Sequence, residues 1–284
     1  MSAVVTIMGY GFREAVRRKV FTVVLVLTAA FLVLFWLATR YVFSRLSSIN
    51  PGDVNVDPRT FAGAFLLGLA MFATLFLGVV LAVFLTLGVV SGDAERGLLQ
   101  PLVVRPVGRA TLLLSRFLGA AVVCVVYVLA VYGIAVAMID VYGSWAPPTP
   151  LAPGLELAGG VVIAIALSIL GSVFLSSIAN GIAIFMLFGA GLTAGLLGSI
   201  GHALSSPTIE HASRDVAWAL PFEALYQDGL RIISSNANGV TGFLLQLGPF
   251  GGAFVHGWGI RVWSVGYLCV ALALAVFLFR RRDL

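Results

Sequence analysis

The residues best equipped for chemistry or recognition lie between Ser91 and Arg116, in the stretch SGDAERGLLQPLVVRPVGRATLLLSR. Asp93, Glu95 and Arg96 come first, and Gly97 then interrupts. Leu98, Leu99, Gln100, Pro101, Leu102, Val103 and Val104 make a short apolar piece. Arg105-Pro106 imposes a turn, because proline disfavours helix in the residue before it. Gly108 and Arg109 then lead through three leucines to Arg116. The expected product is a compact elbow of two short amphipathic helices. Such an elbow can dock a soluble partner, with leucines entering a groove and charges fixing orientation. A pair of interfacial helices anchored by arginines fits the same residues. Elsewhere the chemical signals are thin. Ser199 and His202 sit close together on one apolar run, with no second histidine to act as base for a nucleophilic serine. Glu210-His211 lacks the second histidine of a zinc-protease helix. Cys124 and Cys269 fall inside apolar runs and read as small hydrophobes.

The elements that must carry these residues are set by composition. Of 284 residues, 60% are hydrophobic and 10% charged, with a mean hydropathy of +1.07. Soluble domains carry about 25% charged residues, so lipid must be the solvent for most of this chain. The net charge of +5 does not indicate nucleic acid, because the basic residues flank apolar runs, as membrane orientation requires. A crossing helix needs about 20 apolar residues. Six stretches meet or approach this: 20–38, 61–90, 117–139, 157–179, 181–204 and 263–279. The second is long enough to tilt or to project into water. The fourth and fifth are parted only around Asn180, which implies a helical hairpin.

Six spans put both termini on one face. With the termini cytosolic, eleven basic residues lie inside and six outside, the latter mostly in longer loops. The segment 232–260 is uncharged and partly apolar, but its many glycines and Pro249 argue against an unbroken span, so it reads as a re-entrant or outer-leaflet element. Residues 7–19 alternate apolar and basic side chains, as an interfacial helix does. Residues 214–235 suit one or two short external helices at the interface, and the Pro-rich 146–153 a stiff external connection.

No span has an acid, a base or a histidine near its middle, which counts against an ion-coupled carrier. Lys19, in Arg-Arg-Lys-Val, is the one lysine, so no phosphate-binding loop of the Gly-rich type with its lysine is present. Gly191 and Gly195, in GxxxG spacing on the fifth span, permit close helix approach, for bundle packing or for a gating or dimer contact.

The Ser91–Arg116 segment resembles the cytosolic signature of the ABC-2-type transporter permeases, in which E-x-E-x-G-T-L is followed by P-V-S-R and a basic residue entering the third helix. The matching residues are Asp93-Ala94-Glu95-Arg96-Gly97-Leu98-Leu99, then Arg105-Pro106-Val107-Gly108-Arg109, then Arg116. The chain departs from the pattern at Asp93, Leu98, Pro101 and Gly108. Phe12–Arg18 resembles the family's N-terminal elbow helix, and Leu220-Pro221-Phe222-Glu223 its L-N-P element, with Leu220 where asparagine is usual. The six-span plan and long last external segment are most similar to the NosY-like branch.

The expected fold is thus an all-α integral membrane protein, a single domain over 1–284. It has six transmembrane helices, an N-terminal interfacial elbow helix, cytosolic coupling helices in 91–116 and an external segment, 205–262. The resemblance implies a multi-pass subunit of the cell (cytoplasmic) membrane that is not itself an enzyme. It would be the permease of an ABC transporter, an exporter powered by a separate ATPase that carries the ATP and Mg, with no cofactor or metal on this chain. Asp93, Glu95, Arg96, Gly97, Leu99, Arg105, Pro106 and Arg109 would form the ATPase-coupling interface. The expected partners are an ABC ATPase, the lipid bilayer, and an identical or related permease in a homodimer or heterodimer. An external accessory protein would make the chain a mechanotransmitter rather than a transporter. A carrier or channel independent of any ATPase is the remaining alternative.

Overall fold

The computed structural model describes residues 19–46, 57–86, 109–235 and 257–281. All regular structure among them is helical: α1 (Lys19–Leu46), α2 (Pro58–Thr86), α3 (Arg109–Gly143), α4 (Leu151–Phe174), α5 (Ser177–Ala203), α6 (Pro207–Ala219), α7 (Pro221–Ser234) and α8 (Gly257–Arg281). Six of these, all but α6 and α7, are long and apolar enough to cross a membrane. Helix is the only open-ended solution in lipid, because each backbone donor finds its acceptor within the same segment. At about 1.5 Å per residue, α2 is roughly 44 Å long and α3 roughly 52 Å, more than the ~30 Å hydrocarbon core requires. The surplus in α3 carries its first turns, with Arg109 and Arg116, beyond the apolar run that begins at Phe117.

Helices α2 and α4 form the centre, with 72% and 67% of their apolar windows buried, whereas α1 and α8 lie at the rim, with 17% and 22%. Leu67, Met71, Leu75 and Val79 form a buried stripe on α2, and Leu157, Val161, Ile165 and Ile169 its counterpart on α4. Gly78 lets three helices meet: a Cβ there would come within 2.9 Å of Val161 on α4 and 3.1 Å of Val128 on α3. One face of α1 packs on the core through Val24, Phe35 and Phe43, while apolar side chains such as Val26 and Leu34 are exposed, as a lipid-facing or partner-facing helix requires.

Local signals fix the ends. Asp57 caps α2: its carboxylate accepts the Arg59 N–H at 3.1 Å and the Thr60 hydroxyl at 2.6 Å. The Thr60 hydrogen bond holds the Asp57 carboxyl below its usual range. Pro58 occupies the first helical position, where a missing N–H costs nothing. The hairpin between α4 and α5 turns at Leu175-Ser176, not around Asn180. Ser176 caps α5, its Oγ accepting the Ala179 N–H at 3.4 Å. Asn180 instead lies inside α5 and reaches back to α4, donating to the Ser168 carbonyl at 2.9 Å and to Ser168 Oγ at 3.2 Å. Ser168 Oγ is also 2.6 Å from Thr86 Oγ1, at the last residue of α2. At this hairpin end of the bundle a neutral chain, Thr86–Ser168–Asn180, joins three spans. Of the Pro-rich connection, 144–150 is non-helical, and Pro153 belongs to the first turn of α4.

The opposite, capped end holds α6 and α7. Two short helices do form within 207–234, but they differ. Helix α6 is amphipathic, with Glu210, His211, Arg214 and Asp215 outward and Ser213 and Ala217 buried. Helix α7 does not lie along an interface. Every residue from Pro221 to Leu230 is buried, packed against α4 and α5 and the ends of α2 and α8. The expectation of a surface helix fails because other elements leave room for α7 and neutralise its charge.

Candidate functional site

Of the coupling residues expected from sequence, Asp93, Glu95, Arg96, Gly97, Leu99, Arg105 and Pro106 lie outside the described residues. Arg109 is the first residue of α3, and Arg116 sits two turns further on. The interfacial helix over 7–19 is outside the described residues but for Lys19, and so is the re-entrant element but for its ends. Gly191 and Gly195 face α7. A Cβ at Gly191 would meet the Phe222 ring at 3.0 Å, and one at Gly195 would collide with the Glu223 carboxyl and the Gln227 amide. The side chains of Ser199 and His202 are outside the described set.

The arrangement that sequence reasoning missed is at the capped end. Arg261, in the second turn of α8, reaches two acids on two other helices. Its Nη2 donates to Asp228 Oδ2 of α7 at 2.9 Å, and its Nε lies 2.7 Å from Glu156 Oε1 of α4. The second contact is a close ion pair without hydrogen-bond alignment. Arg231 Nη2 lies 3.1 Å from Asp228 Oδ1. Asp228 is fully buried and Glu156 nearly so, while the two arginines are about one-third exposed. Two carboxylates thus face two guanidiniums, and the group is neutral as a whole. Burying a charge without its partner costs several kcal/mol, so this pairing is what allows α7 to sit inside the bundle. One guanidinium, Arg261, fastens α4, α7 and α8 together.

A second polar group lies one turn away on α7. Glu223 is 1% exposed, and its Oε1 accepts the Gln227 Nε2–H at 2.8 Å. Among the described residues, Glu223 Oε2, Gln227 Oε1 and the Tyr226 hydroxyl find no hydrogen-bond partner. Burial pushes the Glu223 carboxyl up to about 8, against a smaller opposing effect of the Gln227 hydrogen bond. Burial and the neighbouring Glu223 push the Tyr226 phenol far up as well. Leu220 is the N-cap of α7, where no side chain caps the helix; the Glu223 N–H instead donates to the Leu220 carbonyl at 3.0 Å.

Beside the charge cluster runs a groove of about 540 Å³, open on one side, between α4 and α8. Its walls are apolar, including Leu155, Val162, Val265 and Leu268, and Glu156, Arg261 and Ser264 supply its polar end. Aromatic side chains mark the same level. Trp263 Nε1–H donates to the Trp218 carbonyl at 2.8 Å, and the Arg261 guanidinium lies 5.4 Å from the centre of the Trp258 ring. Tryptophans gather in this way at membrane–water boundaries. The capped end can therefore hold short helices and charge at interface depth, and the groove can admit an apolar or amphipathic chain.

No curated protein is similar enough to the chain to match it. The description "ABC-2 family transporter protein" matches residues 5–284. That span takes in all six apolar helices, residues 87–108 and the buried α7, and the chain belongs to the ABC-2 family of transporters.

Proposed function

We propose that the chain is the membrane-spanning permease of an ABC exporter, powered by a separate ATPase subunit that docks on residues 91–116. The family match over 5–284 carries this reading, because the family is a membrane transport component. In the working cycle, the partner binds ATP and Mg and closes. Asp93, Glu95, Arg96, Gly97, Leu99, Arg105, Pro106 and Arg109 receive that movement. Residues 87–108 lie between α2 and α3 in the sequence, so displacement there pulls on two spans at once. Both termini are cytosolic in this reading, the membrane is the cytoplasmic one, and two permease copies, identical or related, complete the transporter. The NosY-like branch is the placement favoured by the six-span plan and the long last external segment.

Replacing Glu95 and Arg109 together by alanine is the direct test. The expected result is loss of co-purification with the cognate ATPase, or hydrolysis no longer stimulated by the permease, with membrane insertion unchanged. Normal complex formation together with normal stimulation in the double variant removes the docking role.

A second reading draws on the ion pairs of Arg261 with Glu156 and Asp228. Because α7 is fastened to two spans, motion of the spans also moves the external segment, as a mechanotransmitter acting on an outside partner requires. Cargo uptake into inverted vesicles supplied with external ATP separates the two. Transport supports the exporter, and ATP hydrolysis without any cargo movement supports the transmitter.

A further inference from the structure

The Glu223–Gln227 pair has a hydrogen-bonding deficit with a definite chemical remedy. A carboxyl and a primary amide can form two hydrogen bonds to one another in a ring. The amide N–H goes to one carboxyl oxygen, and the other carboxyl oxygen, if protonated, donates to the amide carbonyl. Half of this ring is in place, in the 2.8 Å bond from Gln227 Nε2 to Glu223 Oε1. Among the described residues the two atoms left without partners, Glu223 Oε2 and Gln227 Oε1, are the two that a single proton would join in such a ring. An ionised Glu223 would leave both as acceptors with no donor among the described residues, at a fully buried place. That is the costliest arrangement for a polar pair.

We propose that Glu223 is a proton-binding site, and that α7 occupies the bundle with this carboxyl protonated and closed in a ring with Gln227. The proton comes from water and adds to the carboxylate Oε2, and no other bond changes.

The surroundings support the neutral form, beginning with α2, which meets α7 through the apolar Met71 and Leu75. Helix α5 presents Gly191 and Gly195, whose missing side chains are what admit the Glu223 carboxyl and the Gln227 amide. Helix α4 contributes Gly160 against the backbone of Phe222, and its acid, Glu156, is paired with Arg261. On α8, Arg261 is committed to Glu156 and Asp228. On α6, the buried groups are Ser213, whose hydroxyl donates to the Ala194 carbonyl at 2.7 Å, and Ala217. Helix α7 itself supplies the Tyr226 phenol, held neutral by burial, and the Asp228–Arg231 ion pair. Among the described residues no cation pairs with Glu223.

Linkage gives the consequence. The carboxyl is pushed up to about 8 in the folded state from an ordinary value of 4.5. Between those values the folded protein holds a proton that the unfolded or undocked chain lacks, so docking of α7 weakens as pH rises through this window and levels off above it. The slope is at most about 1.4 kcal/mol per pH unit. Any movement that withdraws α7 from the Gly191–Gly195 face exposes the carboxyl and releases its proton at neutral pH.

The test is infrared spectroscopy of the full-length protein reconstituted in phosphatidylcholine vesicles, titrated from pH 6 to pH 10. The expected result is a protonated-carboxyl carbonyl band at pH 7 that fades near pH 8, shifts on ¹³C-glutamate labelling, and is missing from Glu223→Gln. Glu223→Gln keeps the size and a donor towards Gln227, and its thermal stability is expected to lose the wild-type fall between pH 6 and pH 8. A wild-type spectrum without any such band at pH 7, or a band that titrates in the ordinary carboxylate range, overturns the proposal whether or not the variant folds. An identical band in Glu223→Gln overturns it too. None of these readouts involves an ATPase, so the proton site stands or falls separately from the exporter reading.

Discussion

The two ends of the bundle are held by different chemistry. At the hairpin end, Thr86, Ser168 and Asn180 link α2, α4 and α5 through neutral hydrogen bonds of 2.6–3.2 Å. At the capped end, Arg261 links α4, α7 and α8 through ionised groups, and Glu223 is buried beside them. A neutral hydrogen bond is worth about 1 kcal/mol net and can be exchanged for another. Removing one partner of a buried ion pair costs about 3–5 kcal/mol. The hairpin end, where α2 ends at Thr86, is therefore joined by bonds that a modest force can rearrange. The capped end is joined by contacts that break only at a large cost. An incoming displacement is thus expected to alter the relation of spans at the hairpin end and to move the capped end as a unit.

This contrast can be broken by substitution. The largest effect is expected from Arg261→Met, which strands Glu156 and leaves Asp228 with Arg231 alone. A loss of about 3–5 kcal/mol is expected in detergent unfolding, with part recovered when Glu156→Gln is added. A loss below about 1 kcal/mol would remove the idea of a charged lock. Next is Gly195→Val, which places methyl groups where the Glu223 and Gln227 side chains lie. Overpacking there is expected to cost about 1–3 kcal/mol. The same change at Gly189, around which nothing lies within 4 Å of an added Cβ, serves as the silent control. At the other end, Ser168→Ala is expected to cost only about 1 kcal/mol, because Thr86 keeps its bond to the Ala82 carbonyl and Asn180 its bond to the Ser168 carbonyl. The smallest change is Trp263→Phe, which gives up one half-exposed hydrogen bond to Trp218 and is expected to cost less than about 1 kcal/mol by the same unfolding assay.

How much of this was written in the one-dimensional pattern differs between the two ends as well. The six apolar helices are legible from hydropathy, because lipid leaves the backbone no other solution. Their ends depend on individual contacts. Asp57-Pro58 is a visible capping signal three residues ahead of Phe61, where the apolar run starts. Asn180 has the look of a turn residue, and only the position of Ser168 across the hairpin shows why it stays in helix. The capped end was hidden for a different reason. The rule that no span bears a charge near its middle holds, yet the interior contains acids, because a short helix outside the spans carries Glu223 and the ion-paired Asp228 into it. An amphipathic stretch such as 221–234 has the composition of a surface helix. Its burial depends on Arg261 from another helix and on glycines at 160, 191 and 195. The GxxxG spacing advertised a close approach, but nothing in the spacing names the helix that approaches.

The position of Arg261 also bears on how the protein is made. Synthesis runs from the N-terminus, so Glu156 and Asp228 exist before Arg261 does. Among the described residues, until the last helix is delivered, Arg231 is the one cationic partner of that site, and Glu156 waits without a counter-ion. Completion of the chain is then the event that neutralises the interior and fastens α7 in place. A ribosome that stops short of α8 releases a product with an unpaired acid at membrane depth, which marks it chemically as unfinished for whatever machinery inspects nascent membrane proteins.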